Sequence, residues 1–384
     1  MKIAVVHDYF TQLGGAERVV QELYRLVPDP ALFATVALAD CMPPRLRNAS
    51  VQTSWMQNLP NIDRYYRFYF LLYPFAVSSM DLSEYDLVLS SSSSYAKGVR
   101  TSRDAIHVCY CHTPMRWVWS YDNYSSRESF GFTQRTVLPV LMRALRRWDE
   151  EASRQPDHFV ANSRVVAERI RKAYGRTAEV IHPPIEVDRF QPSGEGDDYY
   201  LVLSRLVSYK RIDLAVQACT QRKKKLLVIG DGPDRKSLEA LAGPSVRFLG
   251  RASDKDVEYH VSRCRALLFP GEEDFGMAPL EVAAAGRPTI AYRAGGAVET
   301  IIENVTGVFF NSQTPEDLGD AIECFEVNEW SPDRLRQHAE GFSIEVFQRR
   351  FRAFLHRVGM PVGGPNPKAN PARVLEVFPS ARAS

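Results

Sequence analysis

Apolar positions in this chain gather in short unbroken runs, several of which lead into a stretch with helical spacing. Ile3 to Val6 precedes Ala16 to Leu26, and His158 to Asn162 precedes Val165 to Tyr174. Leu87 to Ser90, Ile106 to Cys111 and Val180 to His182 read as further strands. Strand-like runs alternating with helix-like ones predict a parallel sheet covered by helices.

The pattern breaks once. Ile181-His182-Pro183-Pro184-Ile185, followed by Gln191 to Asp198, forms a connector rich first in proline and then in glycine and polar residues. It marks a boundary between a domain over 1–185 and a second over 186–343. The second carries its own runs: Tyr200 to Ser204, Leu226 to Gly230, Val246 to Phe248, Ala266 to Pro270 and Thr289 to Tyr292. Two doubly wound α/β domains are expected to turn their strand C-termini toward a shared central cleft, where such sheets bind ligands. From residue 360 the tail is rich in Pro, Gly, Asn and Ala and is expected to be flexible.

Composition narrows the class without naming it. The 384 residues suffice for two domains, and 45% hydrophobic with 24% charged content is that of an ordinary globular protein. A net charge of +2 does not argue for a nucleic-acid partner. The six cysteines make no disulfide framework, and Cys109-Tyr110-Cys111-His112 fits no zinc spacing, so reduced thiols, no metal and a cytoplasmic location are expected. The apolar start at Ile3 is too short for a signal peptide, and Phe68 to Val77 is too short to span a bilayer.

Chemistry concentrates in the second domain. Glu273 and Glu281 flank Asp274-Phe275-Gly276-Met277-Ala278-Pro279-Leu280, and upstream Arg205 and Lys210 follow a strand end. Two carboxylates around a glycine turn, with two cations nearby, suit a sugar attached to a diphosphate. The cations would hold the leaving phosphate, Glu273 would face the reacting sugar, and Glu281 would accept from a hydroxyl pair. Gly14-Gly15 opens an amphipathic helix and offers backbone N–H groups to an anion, or is simply a glycine turn. Asp254-Lys255-Asp256 has the form of an acidic metal motif, but it follows Ser253 and reads better as a helix cap.

Glu272 to Gly276 through Glu281 to Pro288 resembles the E-x7-E signature of the retaining glycosyltransferases of family four, which have the GT-B fold. Ser204-Arg205-Leu206-Val207-Ser208-Tyr209-Lys210-Arg211-Ile212-Asp213 is similar to a second segment of that family. Gly230-Asp231-Gly232-Pro233, Phe248-Leu249-Gly250 and Gly295-Gly296-Ala297-Val298-Glu299 follow in the family's order. The resemblance implies catalytic roles for His112, Glu273, Arg205 and Lys210. It implies donor contacts from Gly14, Gly15, Arg205, Lys210, Arg251, Phe275, Gly276, Met277, Ala278 and Glu281. Cys264-Arg265 departs from the family's Ala-Asp, and Arg265 therefore weakens any assignment of the nucleotide base.

Within the family, the detail looks most like mannosyltransferases of bacterial surface-polysaccharide assembly. The expectation is then transfer of a hexose, mannose from GDP-mannose, to a lipid-linked saccharide without cofactor or metal. UDP-sugar transfer, nucleotide-sugar epimerisation and a two-lobed sugar-binding protein are the rival readings. The helix over 344–359 would cross back to the first domain. Arg64 and Arg67 before an aromatic run, and Arg143, Arg146 and Arg147 beside Trp148, suggest peripheral contact with the inner face of the cytoplasmic membrane, against the plainer reading of helices packed on the sheet.

Overall fold

The computed structural model describes residues 1–119, 132–194 and 196–363. The chain forms two compact units, one made of Met1–Ala161, Val166–Glu179 and the stretch from Gln348, the other of Asn162–Val165 and Val180–Phe347.

The first unit holds a seven-stranded parallel sheet. Its strands are β1 (Ile3–His7), β2 (Ala31–Ala34), β3 (Val51–Thr53), β5 (Leu87–Ser92), β7 (Ile106–Cys111), β8 (His158–Ala161) and β9 (Ala178–Val180). Two short strands, β4 (Asp81–Leu82) and β6 (Arg100–Thr101), pair apart from it. The order is β3-β2-β1-β5-β7-β8-β9, so the chain runs outward from β1 in one direction and then resumes on its other side. That reversal leaves a switch point between β1 and β5, the place where open α/β sheets bind ligands. β1 and β5 are buried along their whole length, which is why they read as continuous apolar or small-residue runs.

The second unit repeats the plan with six parallel strands: β10 (Tyr200–Leu203), β11 (Leu226–Ile229), β12 (Val246–Gly250), β13 (Leu267–Phe269), β14 (Thr289–Tyr292) and β15 (Gly307–Phe310). Their order, β12-β11-β10-β13-β14-β15, puts the switch point between β10 and β13. One buried cluster on this sheet contains Leu201, Leu267, Phe275 and Leu280, and another contains Val202, Ala215, Val228 and Leu268. Alternate residues of single strands thus feed opposite layers.

The observed boundary precedes the expected one at 185. Ile185 N–H donates to the Phe342 carbonyl at 2.9 Å, which ties the proline-rich connector to the second unit from Val180 onward. The closing helix Ile344–Arg357 starts in the second unit and belongs to the first from Gln348. There Phe351 meets Tyr110 and Phe354 meets His158. The tail beyond residue 363 lies outside the described residues.

Candidate active site

Lys210 and Glu273 follow the two strands that flank the second switch point. After β10 the chain makes a single 3-10 turn, Ser208–Lys210, and Arg211 then takes a left-handed φ of 51° to open the helix Ile212–Gln221. After β13 it runs through Pro270-Gly271 to Glu273, and Gly276, at φ 84°, opens the helix Met277–Ala284. The two turns touch backbone to backbone. A Cβ on Gly271 would come within 2.7 Å of Lys210 Cα, so only glycine permits this approach. Lys210 Nζ consequently reaches Glu273 Oε1 at 2.9 Å.

Burial pushes the Lys210 ammonium pKa down, but the Glu273 carboxylate beside it outweighs that effect and the net shift is upward. Arg205 is exposed at the end of β10, and its charge opposes that upward shift. Two fixed cations and one carboxylate therefore share the mouth of a switch point.

The Glu273 loop is supported from behind. Gly296 N–H donates to the Glu273 carbonyl at 2.8 Å, and a Cβ on Gly296 would lie 2.2 Å from Phe275 Cα. The Phe275 ring is buried and stacks on His182 with centroids 5.2 Å apart. Its side chain is therefore structural, and only its backbone faces the turn. Ser163 Oγ donates to the Asp274 carbonyl at 2.6 Å. Glu299 accepts from the N–H groups of Arg164, at 2.8 Å, and Val165, at 3.3 Å, and also contacts His182 Nε2 at 3.2 Å. Burial alone would raise the Glu299 carboxyl, but the His182 ring and the two N–H groups bring it below its ordinary value.

The remaining second-unit candidates sit at different distances from this pair. Glu281 is 7% exposed on the helix that Gly276 opens, and Met277 and Ala278 form that helix's first turn. Arg251 stands beyond β12, at the sheet edge, roughly 10 Å from the β10 end at the usual strand spacing. Gly230 and Gly232 allow the β11 turn to cross the backbone of Ser204 and Leu206, where added Cβ atoms would meet carbonyl oxygens at 1.8 and 2.2 Å. Arg265 precedes β13 at the N-terminal edge of the sheet, paired with Asp198 at 3.1 Å and Glu326 at 3.5 Å. Its departure from the family pattern therefore does not bear on the strand C-termini. Asp256 forms a capping box with Ser253, whose Oγ accepts from Asp256 N–H at 3.2 Å. Among the described residues no group of three or more His, Cys, Asp or Glu could hold a metal ion.

In the first unit, His112 follows β7 and is 8% exposed. Burial, and after it the neighbouring His7, pushes its imidazole pKa down to about 3. Gly14 caps the helix Gly15–Leu26, and its N–H donates to Glu17 Oε2 at 2.9 Å, so an anion at this turn would have to use the N–H groups that follow. The serine run Ser90 to Ser94 ends β5 and leads into a turn that Asp8 holds. The Asp8 carboxylate accepts from the backbone N–H groups of Ser93, Ser94, Tyr95 and Ala96 at 2.6 to 2.9 Å, fixing the turn after β5. Asp8 directly after an apolar run, paired with a serine tract after another, was the available signal.

Residues 13–189 match the model of glycosyltransferase family 4, and residues 185–342 match that of the glycosyl transferases group 1. The chain belongs to the family 4 glycosyltransferases and has the GT-B fold. It is 27% identical over 219 residues to a GDP-mannose-dependent alpha-(1-6)-phosphatidylinositol monomannoside mannosyltransferase of Mycolicibacterium smegmatis, covering 49% of this chain and 56% of that protein. It is 28% identical over 258 residues to the human alpha-1,3/1,6-mannosyltransferase ALG2, covering 56% and 58% respectively. The chain thus spans little more than half the length of these curated relatives. Among solved structures, Anabaena HepE in complex with UDP and glucose superposes with a TM-score of 0.70 at 18% identity, covering 93% of this chain and 99% of that one.

Proposed function

We propose that the protein is a retaining, metal-independent hexosyltransferase that moves mannose from GDP-mannose to a lipid-linked saccharide in surface-polysaccharide assembly. The observation that carries the transfer chemistry is the Lys210–Glu273 pair at the switch point between β10 and β13, with Arg205 beside it. Lys210 and Arg205 would hold the diphosphate and stabilise the charge that develops as it leaves. Glu273 would face the sugar, and Glu281 would accept from the ribose hydroxyls. Gly276, Met277 and Ala278 would offer N–H groups at a helix N-terminus. His112 would contact the transferred sugar from the first unit.

With the Glu273 carboxylate engaged by Lys210, the acceptor would attack on the face that the diphosphate leaves. The C–O bond to the diphosphate breaks, an oxocarbenium-like centre forms, and the departing phosphate takes the acceptor's proton. The two mannosyltransferase relatives support mannose as the sugar, and the name of the mycobacterial one supports GDP as the carrier.

Thermal shift with GDP, UDP and ADP, followed by turnover with GDP-mannose and UDP-glucose, tests this reading. A ligand at 100 times its dissociation constant stabilises the fold by about 2.7 kcal/mol. GDP is expected to give the largest shift and GDP-mannose the turnover. A UDP preference would replace the donor assignment, and epimerised donor without transfer would replace the reaction.

A further inference from the structure

The switch point of the first sheet holds a buried chain of polar groups that ends on His112. β1 and β5 pair His7 with Ser91, and β7 delivers His112 alongside. Ser91 Oγ lies 2.8 Å from His112 Nε2 and 3.1 Å from His7 Nδ1. A hydroxyl has one hydrogen, so Ser91 donates to one ring and accepts from the other. His7 Nδ1 also lies 3.2 Å from the Ser91 carbonyl oxygen, which can only accept. Nδ1 of His7 therefore carries a hydrogen, Ser91 accepts from it, and the Ser91 hydroxyl donates to His112 Nε2. A neutral His112 whose Nε2 accepts must hold its hydrogen on Nδ1.

On the other side of His7 the contact lies beyond hydrogen-bond range. His7 Nε2 faces Glu17 Oε1 at 3.8 Å, and Glu17 Oε2 accepts from Gly14 N–H at 2.9 Å. His7, Glu17 and Ser91 are all buried. The Ser91 carbonyl lies within hydrogen-bond reach of His7 and Glu17 does not, so the carbonyl sets the position of the His7 hydrogen, and removal from water makes the Ser91 contacts costly to break.

We infer that Ser91 and His7 are positioning residues that hold His112 in its Nδ1–H tautomer. This rests on the reading that His112 meets the transferred sugar. In that role His112 is a hydrogen-bond donor through Nδ1, and its Nε2 is occupied and unavailable as a base.

Selective 15N labelling of the histidines in the full chain, with long-range proton–nitrogen NMR, reads the tautomer directly. His112→Ala assigns the signal. His112 is expected as the Nδ1–H form between about pH 6 and 8, and finding the Nε2–H form overturns the inference whether or not any variant folds. Ser91→Ala is expected to lower kcat about tenfold, the factor that loss of one buried hydrogen bond commonly gives, with nucleoside-diphosphate affinity unchanged. In a His112→Ala background it should cost nothing further, whereas additive losses would assign Ser91 a merely structural role. Full turnover in His112→Ala alone would remove the sugar contact instead, a failure that the tautomer measurement keeps separate.

Discussion

Lys210 Nζ and Glu273 Oε1, 2.9 Å apart, join the turns that follow β10 and β13. The Glu273 carboxylate raises the Lys210 ammonium pKa despite its burial, and on the proposed function the lysine would meet the incoming diphosphate. An anion arriving there would exchange one carboxylate partner for phosphate oxygens, so the ammonium would not be stranded without a partner.

Arg205→Ala and Lys210→Ala are each expected to lower turnover by about a hundredfold or more, the usual cost of removing a group that stabilises developing charge. Melting temperature should change little. Near-normal turnover in both variants would remove the diphosphate assignment.

Gly296→Ala places a methyl group 2.2 Å from Phe275 Cα and 2.3 Å from the Phe275 carbonyl. The contact is with backbone, which cannot rotate away, so the loop carrying Glu273 must shift. A loss of about 1–3 kcal/mol in stability is expected from such overpacking, together with weakened binding of the nucleoside diphosphate. Urea unfolding and calorimetric titration would measure the two, and unchanged affinity would show that the loop does not depend on this support.

Much of this architecture was legible in the sequence because buried parallel strands read as continuous apolar runs. Ile106 to Cys111 and Thr289 to Tyr292 form strands over those same bounds. Ala31–Ala34, Val51–Thr53 and Gly307–Phe310 were not foreseen. They are three or four residues long and two of them lie at the edges of their sheets, so the pattern marks them weakly. The Lys210–Glu273 contact is a different matter. Spacing and type nominated both residues, but their pairing depends on Gly271 lying against the Lys210 backbone, a tertiary relation with no local signature. His7 and Ser91 were missed for the same reason: each is unremarkable in its own segment, and only strand register brings them together.

Activity should survive EDTA. Asp256 closes a capping box with Ser253 and Asp254 pairs with Arg189, and on the proposed function Arg205 and Lys210 would supply the positive charge that a metal otherwise brings. Ser253→Ala should cost about 1 kcal/mol of stability, as loss of a capping hydroxyl does, with turnover intact. Loss of activity in EDTA and recovery with magnesium or manganese would reopen the assignment of Asp254 and Asp256.

Stability should fall as the solution is acidified from pH 7 to 5. Burial lowers His107 from 6.5 to about 4 and His112 from 6.5 to about 3. The unfolded chain takes up protons at these sites below about 6.5, while the folded chain does not until much lower. Their contribution is therefore fully present above 6.5 and declines as pH falls, by up to about 1.4 kcal/mol per pH unit for each histidine. Urea midpoints measured across this range should drop, and His107→Gln should flatten the slope. A midpoint independent of pH would mean that the two rings are not held neutral.

The last expectation concerns the acceptor's surroundings. Phe68 and Phe75 are 77% and 69% exposed, while Tyr73, Ala76 and Val77 between and beside them are buried in the first unit's core. Two large aromatic side chains remain in water although their own segment is anchored, and Arg64 and Arg67 lie exposed in the same segment. Arg143, Arg146 and Arg147 are exposed as well, with the Arg146 guanidinium 4.2 Å from the Trp119 ring centroid. No helix among the described residues is long and apolar enough to cross a membrane. Aromatic side chains entering the headgroup boundary, with each nearby arginine adding about 1 kcal/mol of attraction to anionic lipid, suit a surface contact that presents a lipid-linked saccharide. Phe68→Ser with Phe75→Ser should weaken sedimentation with vesicles containing anionic lipid, and Arg143, Arg146 and Arg147 changed together to Glu should abolish it. Donor hydrolysis should be unaffected in both variants. If the unmodified protein does not sediment with such vesicles, or the variants sediment equally well, these side chains are ordinary surface and the acceptor is met without the membrane.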